Sequence, residues 1–142
     1  GRRIISEATS ARMRQLMRLV VTMGTGKAAN VPGLRVGGKT GTAEKNFNGH
    51  YIHDSLVTTF AAVFPMDAPR YVVMVTMDEP KGIPETFGLR TAAWSAAPAV
   101  KKVIARIGPL LGIIPDNSRD VDVSDLLPYI SVPDEKAGHA AD

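Results

Sequence analysis

The stretch Gly37-Gly38-Lys39-Thr40-Gly41-Thr42-Ala43-Glu44 decides how the rest of the chain is read. Two glycines precede the lysine and one follows it, so the main chain is bare where an ammonium and two hydroxyls cluster. A ligand can approach such a backbone closely. The donor set of lysine, hydroxyls and open backbone N–H groups suits a carboxylate or another oxyanion.

Working outward, Leu34 to Glu44 is expected to form a strand, followed by a polar reversal at Lys45-Asn46-Phe47-Asn48-Gly49-His50. Leu56 to Phe64 carries apolar residues in both alternating sets, as in a strand buried on both faces. Pro65 ends it, and the β-branched run Tyr71 to Met77 forms the next strand, closed by Asp78-Glu79-Pro80. The economical arrangement is three consecutive antiparallel strands.

Upstream, Ser6 is placed to cap a helix whose apolar stripe would be Met13, Leu16, Met17, Val20 and Met23, with Arg12, Arg14, Gln15 and Arg18 on a wet face. Gly24 stops this helix, and Gly24 to Gly33 is a turn-rich connection. Downstream, residues 81–90 form a Gly/Pro-broken loop. A second helix is expected from Thr91 or Ser95 to Leu111, with Trp94, Ala97, Val100, Ile104 and Ile107 near one stripe and Pro98 in its first turns. The fold class is therefore α+β: an antiparallel sheet flanked by helices. Residues 1–114 form the structured portion and residues 115–142 an acidic, weakly structured tail.

The 142 residues amount to about one domain, and 44% hydrophobic content is ordinary for a packed core. There is no cysteine, which excludes a disulfide framework and thiolate metal sites. No apolar run approaches the roughly 18 residues of a membrane span. The chain opens Gly1-Arg2-Arg3 without a start methionine and is expected to be a piece of something longer. The net charge of +3 is divided: residues 115–142 hold seven acids against Arg119 and Lys136, a charge of −5, which leaves +8 on residues 1–114. No aromatic-interleaved basic stripe accompanies that charge, so a solvated surface is favoured over a nucleic-acid face.

Several motifs compete for the central stretch. Gly33-Leu34-Arg35-Val36-Gly37-Gly38-Lys39-Thr40 spells the phosphate-loop pattern Gly-x-x-x-x-Gly-Lys-Thr. Such a loop opens a helix whose N–H groups hold the phosphates, whereas Gly41, Asn46, Asn48 and Gly49 are poor helix material. A nucleotide-binding module is thus one alternative, and a non-catalytic anion-binding scaffold another. His50-x-x-His53 falls in a hairpin without a third ligand and is expected to be a surface pair rather than a metal site. Asp78 and Glu79 are adjacent on a strand and should face opposite ways.

Lys-Thr-Gly on a strand is also a motif of penicillin-binding proteins and serine β-lactamases. Its surroundings extend the match: a helix, the Gly24-Thr25-Gly26-Lys27-Ala28-Ala29 loop, the Gly38-Lys39-Thr40-Gly41-Thr42-Ala43 strand, a hairpin with Gly49-His50-Tyr51, Phe60-Ala61-Ala62-Val63-Phe64-Pro65, Val75-Thr76-Met77-Asp78-Glu79-Pro80, and Ser95-Ala96-Ala97-Pro98 opening the last helix. Over residues 3–114 the chain closely resembles the C-terminal part of the transpeptidase domain of class B penicillin-binding proteins, most of all the division-specific, penicillin-binding protein three type.

The resemblance implies a partial penicillin-binding/serine β-lactamase-like fold and a part in a peptidoglycan D,D-transpeptidase that cross-links stem peptides in septal wall synthesis and is acylated by β-lactams. It implies that Lys39, Thr40, Gly41 and Thr42 bind the substrate, Lys39 supplying the positive field. The backbone N–H of Thr42 would be one oxyanion-hole donor, and Gly41 would let the ligand lie along the strand. It implies no cofactor and no metal. The expected place is the periplasmic face of the bacterial inner membrane, with the anchor outside this chain.

The expected partners are stem peptides, β-lactams, the N-terminal half of the domain and other division proteins, and not nucleic acid. A sheet cut from a larger one also invites a homodimer or strand exchange. Two departures stand out. None of the seven serines (Ser6, Ser10, Ser55, Ser95, Ser118, Ser124, Ser131) has a lysine at +3 or an asparagine at +2, so the family's nucleophile motifs are absent and the chain alone is expected to be inactive. Ala62 stands where the family usually has glycine.

Overall fold

The computed structural model describes residues 1–130. Helix α1 spans Glu7–Thr22, capped by Ser6, whose hydroxyl accepts from the Thr9 N–H at 3.0 Å. Its inward face differs from the expected stripe. Arg18, Leu19 and Val21 are buried, whereas Met13, Leu16 and Met23 stay 48%, 44% and 37% exposed.

The reason lies in the Arg18 guanidinium, which meets enough acceptors to be buried. It forms a two-point pair with Asp120 (2.7 and 2.6 Å) and also donates to Val36 O at 2.7 Å and Asn30 Oδ1 at 3.2 Å. A planar five-donor group that is satisfied in this way can take the place of an apolar side chain.

Between α1 and the sheet, a short 3-10 turn at Lys27–Ala29 brings Ala29 into the core, and Val31, Leu34 and Val36 follow it. The first strand starts at Gly37 rather than Leu34. Gly33 (φ 74°) and Arg35 (φ 48°) leave the extended region, and Arg35 is held there by bonds to Asp67 Oδ1 and Gly33 O, each at 2.6 Å.

Strands β1 (Gly37–Phe47), β2 (His50–Phe64) and β3 (Tyr71–Asp78) form an antiparallel sheet in the order β1-β2-β3. The reversal between the first two is only Asn48-Gly49, both with positive φ (51° and 83°), the two-residue turn that suits the twist of a hairpin. In the register, Thr40 lies opposite Phe60 and Thr42 opposite Thr58, with an irregularity between Glu44 and Lys45.

Thr58, Phe60, Ala62 and Phe64 make one face of β2 and are fully buried. Helix α2 (Ala96–Leu110) contributes Ala96, Ala97, Val100, Ile104 and Gly108 to the buried interior. Pro98 sits in its first turn, where a missing N–H costs little. Trp94, expected on the buried stripe, lies ahead of the helix and is 42% exposed. The other face of the sheet also departs from expectation. Val57, Thr59, Ala61 and Val63 are half-buried, while Val72 and Met74 are 71% and 66% exposed, so helices cover only one side.

From residue 115 to 130 regular structure is confined to a 3-10 turn at Leu127–Tyr129. The segment is nevertheless tied along α1. Arg12 pairs with Asp125 at 2.7 Å, Gln15 donates to Asp122 O at 2.8 Å, and Arg18 holds Asp120. The remaining tail, with Asp134, Glu135, Lys136 and Asp142, lies outside the described residues.

Two outcomes follow from this packing. Phe60→Ala should lower unfolding stability by about 3–5 kcal/mol in denaturant melts, because it empties the fully buried centre of the sheet. The second concerns Asp120. Burial pushes its carboxyl up, but the Arg18 guanidinium and the Val121 N–H outweigh that and hold it below the ordinary carboxylate range. With a lowered folded value, its contribution is present above the unfolded carboxylate pKa and is lost as pH falls through the folded one. Asp120→Asn should therefore reduce stability near neutrality and flatten the acid limb of stability against pH.

Candidate active site

The three glycines of the central stretch are bare for different reasons. A Cβ on Gly37 would strike the Met66 side chain and come within 3.2 Å of the α1 backbone at Met17 and Arg18. One on Gly38 would run into the Ala61 carbonyl and lie 2.6 Å from the Phe60 ring. These two glycines let β1 lie tight against its neighbours. At Gly41 an added Cβ would meet nothing nearer than Thr59 O at 3.8 Å and Thr59 Cβ at 3.9 Å, which is ordinary contact. The fold of this chain has room for a side chain at Gly41 and yet carries none.

Around that exposed glycine the polar groups gather. Lys39 is exposed, and its Nζ turns over the strand to donate to Thr40 O at 2.8 Å and approach Thr40 Oγ1 at 3.3 Å. Thr40 Oγ1 lies 3.1 Å from Thr25 Oγ1. Thr42 Oγ1 accepts from the Ala92 N–H at 3.0 Å, tying the strand to the segment ahead of α2, and keeps its own proton to donate.

β1 is one of the two outer strands of the sheet, unpaired along one side among the described residues. Residues two apart on a strand direct their main-chain groups the same way, so Thr42 N–H points to the side of the Thr40 carbonyl. Lys39, Thr40, Gly41 and Thr42 are thus brought together on one strand edge.

Two contacts here are not legible in sequence: Thr25 reaching Thr40, and Ala92 reaching Thr42. The Gly24-Thr25-Gly26 turn is visible as a turn, but its distance from the strand depends on the end of α1.

The phosphate-loop alternative loses its key element. Lys39 and Thr40 lie within β1, and no helix N-terminus follows them. Asp78 and Glu79 do not face apart as expected. Glu79 takes a positive φ of 49°, and both carboxylates meet Lys45 Nζ, at 2.6 and 3.0 Å. Donating to Asp78 and then to Glu79 raises the Lys45 pKa, while the bonds that Ser55 and then Lys45 donate lower that of Glu79. This cluster ties the end of β3 to Ser55 of β2 and Lys45 of β1, beside the irregularity in β1. His53 Nδ1 lies 3.0 Å from Glu44 Oε1, which raises the histidine pKa. Among the described residues no group of three or more His, Cys, Asp or Glu side chains is arranged for a metal ion.

Known proteins share the sequence and the fold of this chain. Residues 1–105 match the penicillin binding protein transpeptidase domain family. The chain belongs to that family.

It is 50% identical over 122 residues to a probable peptidoglycan D,D-transpeptidase FtsI of Caulobacter vibrioides, a match covering 80% of this chain and 21% of the relative. Among solved structures, it is similar to the transpeptidase domain of Burkholderia pseudomallei penicillin-binding protein 3 at a TM-score of 0.70 and 34% identity, over 82% of this chain and 34% of that one. A Mycobacterium tuberculosis penicillin-binding protein 3 complexed with ampicillin gives 0.68 and 30%, over 85% and 28%. The α+β architecture agrees with these neighbours. The chain spans 21% of the length of the FtsI relative and about a third of the solved domain.

The contrast between the glycines can be measured in this transpeptidase-domain chain. Gly38→Ala should cost about 1–3 kcal/mol of stability through overpacking, and Gly41→Ala should stay within about 0.5 kcal/mol of the parent in the same melts.

Proposed function

We propose that this chain is the C-terminal portion of the catalytic domain of a peptidoglycan D,D-transpeptidase. The parent enzyme cross-links stem peptides in septal wall synthesis and is acylated by β-lactams. The observation that carries this is Gly41: a glycine that internal packing does not require, set between Lys39 and Thr42 on an unpaired strand edge. A side chain there would obstruct an extended peptide added along the edge.

In the reaction, a serine from the rest of the domain attacks the penultimate D-alanine carbonyl. The C–N bond breaks, D-alanine leaves with a proton on its amine, and an amine from a neighbouring stem peptide then displaces the serine from the ester. This chain supplies one wall of that site. Lys39 provides the positive field, and Thr40 and Thr42 donate to the terminal carboxylate. The Thr42 N–H points to the open edge as an oxyanion donor, a contribution typically worth about 3 kcal/mol. The Ala92 contact on its side chain steadies that residue.

The nucleophile-bearing part of the parent would also cover the bare sheet face at Val57, Thr59, Ala61, Val63, Val72 and Met74. An isolated chain would instead use that face or the β1 edge to dimerise or exchange strands. Among the described residues no helix is long and apolar enough to cross a membrane. The proposed position on the periplasmic face of the inner membrane, beside other division proteins, belongs to the parent enzyme.

In the full-length enzyme, Gly41→Val should lower the second-order rate of penicillin acylation by about 100-fold or more with an unchanged melting temperature. A rate near that of the parent would sink the wall assignment. The chain on its own, incubated with a fluorescent penicillin, should remain unlabelled in a denaturing gel, and a stoichiometric adduct would contradict the division of labour.

A further inference from the structure

We infer that Thr25 is a positioning residue for the carboxylate-binding hydroxyl of Thr40, and that it thereby sets the preference of the site for an anionic ligand terminus. The inference rests on the transpeptidase reading and adds a residue from outside the Lys-Thr-Gly-Thr strand.

Thr25 is held in place by its neighbours. It sits between Gly24 and Gly26, at both of which an added Cβ would lie close to the last turn of α1: 3.1 Å from Val20 Cα and O at Gly24, and 3.0 Å from Val20 O at Gly26. At Gly26 it would also meet the Phe60 ring at 3.1 Å. The Gly26 N–H donates to Val20 O at 2.8 Å. The turn is thus clamped between the end of α1 and Phe60, and Phe60 is the residue opposite Thr40 in the sheet. That clamp brings Thr25 Oγ1 to 3.1 Å from Thr40 Oγ1.

The chemistry then fixes which hydroxyl donates. Either hydroxyl can donate to the other when no anion is bound. A carboxylate can only accept, so when one binds, the Thr40 proton must turn to it. Thr40 Oγ1 is left with two lone pairs, and the groups beside it are the Lys39 ammonium at 3.3 Å and the Thr25 hydroxyl. Thr25 donates to one lone pair while Lys39 faces the other. A relay of hydroxyls polarised in this direction makes Thr40 a better donor to an anion. With a neutral ester at the ligand terminus there is no charge to reward that polarisation.

The test compares Thr25→Val and Thr25→Ser in the full-length enzyme. Second-order acylation constants are measured with benzylpenicillin and with its methyl ester, whose carboxylate is masked, and melting temperatures are recorded in parallel. Thr25→Val should lower the constant for the free acid by about three- to tenfold and that for the ester by less than about twofold, so the acid-over-ester preference falls. Thr25→Ser should restore it. Thr25→Ala serves as a second hydroxyl-free variant should valine disturb the turn.

An unchanged preference in both hydroxyl-free variants, or an equal drop for the two ligands, would overturn the inference while leaving the transpeptidase assignment intact. A parent enzyme that acylates with neither ligand would overturn the assignment and this inference with it.

Discussion

The ring of Phe60 governs where the cationic edge lies. It is fully buried on the middle strand, faces Gly38 on one side and Gly26 on another, and stands opposite Thr40 in the register. Aromatic burial of this size is a large local contribution to the core. Its consequence for the site is geometric: both glycine-lined approaches are as close as they are because the ring fills the space between them. The strand that carries Lys39 and the turn that carries Thr25 therefore meet on the same residue.

A second constraint acts from the other end of α1. Arg18 gathers Asn30, Val36 and Asp120 around one guanidinium and so links the helix, the connection before β1 and the acidic segment. A buried charge persists only where its donors are met, and these acceptors come from two separate stretches of chain that converge on the helix. Asp120 and Asp125 are thus counter-charges for the helix. The family match ends at residue 105, so Arg18, Asn30 and Val36 lie within it and Asp120 lies beyond it.

The two sides of the site differ in how they are supported. The Gly37-Gly38 end is clamped by α1 and Phe60, with no room for added atoms. The Thr42 end is tied through single hydrogen bonds to Ala92 and, by way of the buried Thr58 beside it, to Ser95. Beyond it, Lys45 gathers Asp78 and Glu79 in an exposed ionic clip. Packed contacts resist displacement more than exposed ion pairs do, so the lysine end of this strand edge is the stiffer one.

The sequence by itself determined the element types, the antiparallel order and the Lys39 to Thr42 set, because alternation, capping and turn chemistry are local and the motif lies on a single strand. It was legible even in the Asn48-Gly49 pair, although a longer reversal was expected there. Only the tertiary structure decided which face of α1 is buried, since Arg18 reads as a wet residue until Asp120, Asn30 and Val36 O are brought around it. The rotation of Glu79 toward Lys45 was equally hidden, because one positive φ reverses the facing that strand alternation implies. The separation of Gly37 and Gly38 from Gly41 had the same origin. All three are identical letters, and what a Cβ would meet at each is set by residues far away in sequence: Met66 and α1 at the first, Phe60 and Ala61 at the second, and open space at the third.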